Sequence, residues 1–110
     1  MKPSDVEKLE LEALARGDSD AFDSIYHRYH QSIYANIFRI VRRSDHAEDI
    51  LQDVFVTLWQ YRHNLNQDRP VAGWLFVVSY NKSLTFLRQQ LRVAVQYIDD
   101  IDYHGTHTTH

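Results

Sequence analysis

The sequence predicts an all-α fold, a compact bundle of four helices. Its apolar residues recur at steps of three and four, the helical period, rather than at alternate positions. Only three Gly and two Pro occur in 110 residues, too few to punctuate a turn-rich β fold. Polar stretches between the apolar stripes are short, as in helices joined by brief connections.

Each helix carries its own signals. The first opens at Ser4, whose hydroxyl can cap it, and Glu7 stands three residues on to complete a capping box. Leu9, Leu11 and Leu14 supply its apolar positions, and Gly17 ends it, because glycine tolerates the left-handed conformation of a C-cap. Asp18 or Ser19 caps a second, long helix reaching about Arg43. Its stripe is Phe22, Ile25, Tyr26, Tyr29, Ile33, Ile37, Ile40 and Val41, and Arg42 and Arg43 suit the negative end of its dipole. Ser44 or Asp45 caps the third helix, with Glu48 three residues after Asp45, and Ala47, Ile50, Leu51, Val54, Phe55, Leu58 and Trp59 form its buried face. Residues 62–69, RHNLNQDR, make a polar connection. Pro70 fits the first turn of a fourth helix, where a missing N–H costs nothing. That helix runs through Trp74, Leu75, Val78, Leu84, Leu87 and Leu91, with Gly73 slightly unfavourable near its start. Beyond Val95 the periodicity fades. Residues 1–95 therefore read as one helical domain and residues 96–110 as a linker or disordered tail.

Composition narrows the function. Without cysteine there is no disulfide framework and no thiolate metal site. Residues 1–20 lack the apolar core of a secretory signal, and no apolar run is long enough to span a bilayer. A cytoplasmic protein with no membrane insertion is expected. The net charge of −3 conceals segregation. Residues 45–53 hold four acids and no Lys or Arg, whereas residues 69–92 hold four bases (Arg69, Lys82, Arg88, Arg92) and no acid. The field of each helix is thus more informative than the average.

Two features could carry chemistry. On a helix Asp45, Asp49 and Gln52 share one side, flanked by Glu48 and Asp53, and the opposite side is apolar. The result is an acidic ridge suited to a basic partner surface, although acids near a helix N-terminus also complement its dipole with no partner at all. The second feature is the fourth helix with the connection before it. Cations for phosphates, aromatics for stacking (Phe76, Tyr80, Phe86) and amides for base edges are the combination that holds single-stranded nucleic acid. Trp74 is expected to be mainly core. Histidines are spaced along the chain, with His27 and His30 three apart and His104, His107 and His110 near its end. No Glu-x-x-His pair accompanies them, and no phosphate loop, nucleophile elbow or HExxH occurs. No catalytic residue, cofactor or metal site is therefore expected.

Three stretches together resemble region 2 of extracytoplasmic-function (ECF) sigma factors. Residues 17–29, GDSDAFDSIYHRY, are similar to the family's GD-x-x-AF-x-x-(L/I)Y-x-x-Y. Residues 47–59, AEDILQDVFVTLW, are similar to AED-x-x-Q-(D/E)-x-F-x-x-(L/I)W. Residues 73–88, GWLFVVSYNKSLTFLR, are similar to WL-x-x-(I/V)-x-x-N-x-x-x-(D/N)-x-(L/Y)-R. Their order and spacing make the signal specific. The resemblance implies a transcription initiation factor domain without catalysis. It would bind the RNA polymerase core at the β′ clamp helices through Asp49, Gln52 and Asp53, which match the family's motif, with Asp45 and Glu48 of the same acidic ridge beside them. It would recognise and melt the promoter minus-ten element, holding the non-template single strand through Asn81 and Arg88, which match family positions, and through the loop that contains Asn64, Asn66, Gln67 and Arg69. Tyr80, Lys82, Thr85 and Arg92 join them as candidates from the basic, aromatic and polar make-up of the fourth helix. Within that set the resemblance makes residues 64–69 the specificity loop. It also admits an anti-sigma factor as a partner. Tyr80 stands where the family usually has Arg, and Thr85 where an acid is common. The family's second helical domain, region 4, has no counterpart in these 110 residues, so the sequence is expected to be a fragment of a longer protein. The competing expectation is a helical protein-interaction module whose acidic docking face serves another basic partner.

Overall fold

A computed structural model describes residues 3–104. The chain forms α1 (Asp5–Ala15), α2 (Ser19–Val41), α3 (Ser44–Gln60), a single 3-10 turn (Arg62–Asn64) and α4 (Val71–His104). Among the described residues there is no strand, so the all-α bundle read from the sequence is what the chain adopts. No described helix is long and apolar enough to cross a membrane.

Helix boundaries follow the capping chemistry at most ends. Ser4 Oγ accepts the Glu7 N–H at 3.1 Å. Glu7 does not close a reciprocal box: its carboxylate is buried and accepts the Tyr29 hydroxyl at 2.8 Å. Gly17 takes φ 88°, and its N–H and that of Asp18 bond the carbonyls of Leu14 and Ala13 at 2.9 and 3.1 Å, a Schellman pair. Asp18 then caps α2, accepting the N–H groups of Asp20 and Ala21. At the far end Arg42 holds a left-handed φ of 61°, a conformation that costs a non-glycine residue about 1 kcal/mol. Neither Ser44 nor Asp45 caps α3. Arg43 occupies that position without a side-chain cap, and Asp45 lies inside the first turn, its carboxylate bonded to Arg43 at 3.2 Å.

The core draws Leu11 and Leu14 from α1, Ala21, Ile25, Ile33, Ile37 and Val41 from α2, and the whole expected face of α3 except Trp59, which is half-buried. Leu9 is not part of it, being 65% exposed. The fourth helix departs most from expectation. Its buried face is Val71, Leu75, Ser79 and Ser83, while Leu87 and Leu91 are exposed. Serine can be buried here because its hydroxyl is satisfied locally. Ser79 donates to the Phe76 carbonyl at 2.9 Å and accepts from Asn36 Nδ2 at 3.0 Å, and Ser83 donates to the Ser79 carbonyl at 2.7 Å.

α4 also continues beyond Val95, so residues 96–104 are helical rather than an unstructured tail. No Gly or Pro lies between Gly73 and Gly105 to stop it. Residues 105–110 of the expected tail lie outside the described residues. A helix of 34 residues is about 50 Å long, and the described chain measures 68 × 25 × 22 Å. The last half of α4 therefore projects from the bundle, with every described side chain from Leu87 to Asp102 exposed.

A polar clamp fastens α1 to α2. Arg28 donates two bonds to Glu10, at 2.7 and 2.8 Å, and the Ser24 hydroxyl donates to the same carboxylate. The Arg28 guanidinium holds Glu10 below the usual carboxylate range, against the opposing effect of burial. Desolvation, then the bond to Glu7, pushes the Tyr29 phenol up. Because the Glu10 carboxyl titrates lower in the folded than in the unfolded chain, its contribution is complete above the ordinary glutamate value, about 4.3. It is lost as pH falls through the folded value. Glu10→Gln is expected to cost about 1 kcal/mol at pH 7. Urea unfolding of parent and variant should show that gap narrowing below about pH 4.

Candidate functional site

All five side chains of the acidic ridge, Asp45, Glu48, Asp49, Gln52 and Asp53, are exposed on α3. They spread over somewhat more than a third of the helix circumference, at 100° per residue. Each has different surroundings. The His46 N–H, bonded at 2.9 Å, and then Arg43 hold Asp45 below the usual carboxylate range. Glu48 and Gln52 border a groove between α2 and α3 that Tyr26, His30 and Tyr34 line from the other side. The His30 ring stacks on Tyr26 with centroids 4.8 Å apart, and its Nδ1–H donates to the Tyr26 carbonyl at 3.0 Å. Asp53 turns towards α4, where Lys82 Nζ lies 3.0 Å from its carboxylate.

The connection between α3 and α4 is a built loop rather than a loose polar strand. Arg62 anchors its start, lying 4.2 Å above the Trp59 ring and donating to the Trp59 carbonyl at 2.8 Å. Asn66 closes a side-chain turn by accepting the Asp68 N–H at 3.0 Å, and Lys8 of α1 pairs with Asp68 at 3.3 Å. Asn64, Asn66 and Arg69 are exposed, whereas Gln67 is half-buried. The turn engages the Asn66 carbonyl oxygen, so its NH₂ group is the end offered outward. Between this loop, α1 and the start of α4 opens a cleft of about 680 Å³, walled by Leu65, Pro70, Val71 and Trp74 with Asn66 and Arg69 among its lining.

On α4 the predicted nucleic-acid residues do not form one group. Asn81, Thr85, Arg88 and Arg92 are exposed at steps of four, three and four, so they make a single stripe. The Thr85 hydroxyl donates to the Asn81 carbonyl at 2.9 Å. Tyr80 is exposed about a quarter-turn away from that stripe. Lys82 points to the other side, half-buried against α3 and engaged with Asp53. The two predicted surfaces thus meet at one ion pair, which joins the ridge to the base of α4.

Some neighbours of these surfaces were hidden in the sequence. Tyr26, Tyr34 and His30 belong to the groove beside the ridge, yet the spacing of Tyr26 assigns it to the core stripe. Val56 is 51% exposed one turn beyond Gln52 and extends the ridge with an apolar patch. Its signal was available: it falls on the acidic side of α3, where an apolar residue has no core to fill.

Comparison with known proteins bears directly on this arrangement. The family model for sigma-70 region 2 matches residues 25–93, most of the bundle and every predicted residue of both surfaces. The chain belongs to the sigma-70 region 2 family. Its curated relatives include ECF RNA polymerase sigma factor SigW of Bacillus subtilis, 26% identical over 90% of this chain and 51% of its own length. RNA polymerase sigma factor CnrH of Cupriavidus metallidurans is 26% identical over 96% of this chain and 57% of its own length. The chain spans about half the length of the curated relatives it matches. Among solved structures, an engineered region 2 of sigmaE in complex with GTAAAA superposes with a TM-score of 0.73, covering 84% of this chain and 96% of its own at 23% identity. The ECF resemblance of the three sequence stretches is therefore borne out, and the fold is that of sigma region 2.

The Asp53–Lys82 pair is solvent-exposed on the acid side, so it contributes little to folding. Asp53→Ala should lower stability by no more than about 1 kcal/mol, measured by urea unfolding, with the helical circular dichroism unchanged. A larger loss would make Asp53 a structural residue rather than part of an exposed ridge.

Proposed function

We propose that this domain is the polymerase-binding and minus-ten-reading part of an ECF-type transcription initiation factor. The observation that carries the reading is the division of the bundle's surface. Among the described residues, four of the five ridge residues stand on α3 without an ion pair to another helix, beside a groove of mixed aromatic and polar lining, while a loop, a cleft and a basic stripe occupy the neighbouring α4. The names of the relatives and the complex of the engineered sigmaE region 2 with GTAAAA support the same assignment.

The ridge docks on the β′ clamp helices of the polymerase core. Asp49 and Gln52 sit near its middle, with Asp45 and Glu48 at its start, and Val56 and the groove add apolar contact. Charged contacts of this kind set orientation and become strongly repulsive when one sign is reversed. Asp49→Lys is expected to weaken binding to core polymerase by about 2–5 kcal/mol while leaving the helical spectrum intact. Unchanged affinity of the folded variant, read by a titration of labelled domain with core enzyme, would move the docking surface elsewhere.

The non-template strand lies along Asn81, Thr85, Arg88 and Arg92 and enters the cleft at the loop. An unpaired base can leave the stack and insert between Pro70 and Trp74, where the wall is apolar and Asn66 and Arg69 supply polar atoms for its edge. Backbone contacts along the stripe position the strand and carry little sequence information. Base choice therefore resides in residues 64–69. Because Lys82 is engaged with Asp53, about three cations remain for phosphates, Arg69, Arg88 and Arg92. The logarithm of affinity should fall with the logarithm of salt at a slope of roughly −2 for a single strand. Anisotropy titrations should show single-stranded minus-ten DNA preferred to the duplex. Exchanging residues 64–69 for the loop of a factor with another minus-ten preference should transfer that preference. Equal affinity for duplex and single strand would reduce the surface to nonspecific phosphate binding.

A further inference from the structure

The exposed half of α4 carries a pattern that neither polymerase docking nor strand capture uses. Leu84, Leu87, Leu91, Ala94, Ile98 and Ile101 follow one another at steps of three, four, three, four and three. That is a coiled-coil seam, in which alternating a and d positions keep one side of a helix apolar. Upstream the same spacing continues through Tyr80 and Val77. Leu84 is half-buried and the others face solvent, with Leu91 at 65% exposure and Ile98 at 62%. A projecting helix of this length without tertiary packing is marginal in water, so an apolar stripe along it calls for cover.

Charge along the rod points to the occupant. The near half carries Arg88 and Arg92, and the far half Asp99, Asp100 and Asp102. Two parallel copies would set like charges side by side, whereas two antiparallel copies set each basic half against an acidic half. The seam accepts the antiparallel register. Leu84 meets Ile101 of the second copy, Leu87 meets Ile98, and Leu91 meets the small Ala94, an alternation of large and small that lets the backbones approach. In the same register Arg88 flanks the seam beside Asp102 of the other copy. A buried aliphatic side chain hides roughly 60–120 Å². Six from each chain together hide on the order of 1,000 Å², the lower edge of a specific interface.

We infer that the projecting half of α4 pairs with a second copy of this chain, as an antiparallel two-helix coiled coil through Leu84, Leu87, Leu91, Ala94, Ile98 and Ile101. The test is sedimentation equilibrium of the chain from roughly 10 to 500 µM. The expected result is a reversible monomer–dimer equilibrium. Leu91→Glu and Ile98→Glu each weaken it at least tenfold, with circular dichroism showing that the bundle stays folded. Orientation is read by oxidative cross-linking, which the absence of native cysteine makes clean. A mixture of Leu84→Cys and Ile101→Cys chains cross-links to a heterodimer, and neither variant cross-links to itself. A monomer throughout the range would assign the seam to a different partner and overturn the proposal. A dimer indifferent to both glutamates, or self-cross-linking of either single variant, would overturn it equally.

Discussion

Helix α2 is the element on which every other helix of the bundle is laid, and its crossing with α4 sets where both surfaces stand. At that crossing two serines replace the aliphatic side chains that the rest of the core uses. Ser79 and Ser83 are fully buried, and Asn36 reaches across from α2 to the Ser79 hydroxyl. Small side chains let the two helices approach closely, and the hydrogen bond fixes their register. A leucine at Ser79 would push the helices apart and leave the Asn36 amide without that partner, two separate penalties. Everything displayed on α4 inherits its height and rotation from this contact.

The same crossing explains why the acidic and basic surfaces share a border. α3 packs on both α2 and α4, so turning Ser79 and Ser83 inward brings Lys82 round to the α3 side. There it meets Asp53, while Asn81, Thr85, Arg88 and Arg92 are carried out to solvent. The clamp of Glu10, Ser24 and Arg28 does comparable work at the other end. It holds α1 in place, and α1 in turn supplies Leu11 to the cleft wall and Lys8 to the loop. Loop residues 64–69 thus rest on a helix that is far from them in sequence and is fixed by polar contacts the loop itself does not make.

How much of this could be read from the sequence depends on which helix is asked. α2 and α3 have one apolar face each, so a 3.6-residue period identifies their buried sides with few errors. α4 has two, and hydropathy favours the wrong one. Leu84, Leu87 and Leu91 outweigh Ser79 and Ser83 on any transfer scale, because such scales count a hydroxyl as unsatisfied. In a helix the hydroxyl bonds a carbonyl three or four residues back, and its polarity disappears locally. The α3 cap failed for a related reason: Ser44 and Asp45 are good capping residues, yet the left-handed turn at Arg42 starts the helix one residue earlier. The ridge was legible because exposure there follows from periodicity alone. The groove beside it was not, since Tyr26 satisfies the core pattern and lines a surface as well, and its other walls come from two helices. The cleft was beyond reach, because its walls come from α1, the loop and α4 together.

The two faces of α4 finally place competing demands on one rod. The stripe at Asn81, Thr85, Arg88 and Arg92 and the seam at Leu84, Leu87 and Leu91 are less than half a turn apart, and Arg88 stands at the edge of both. A helix that served the strand alone would gain solubility from polar residues at 84, 87 and 91. A helix that served only pairing would have no use for Asn81 or Thr85. Keeping both sets on one surface means that a molecule occupying the seam also covers part of the cationic stripe. Access of nucleic acid to Arg88 is then coupled to what lies against the seam. That coupling needs no change in the bundle's fold, only a choice between two surfaces that the Ser79–Asn36 contact has already turned outward.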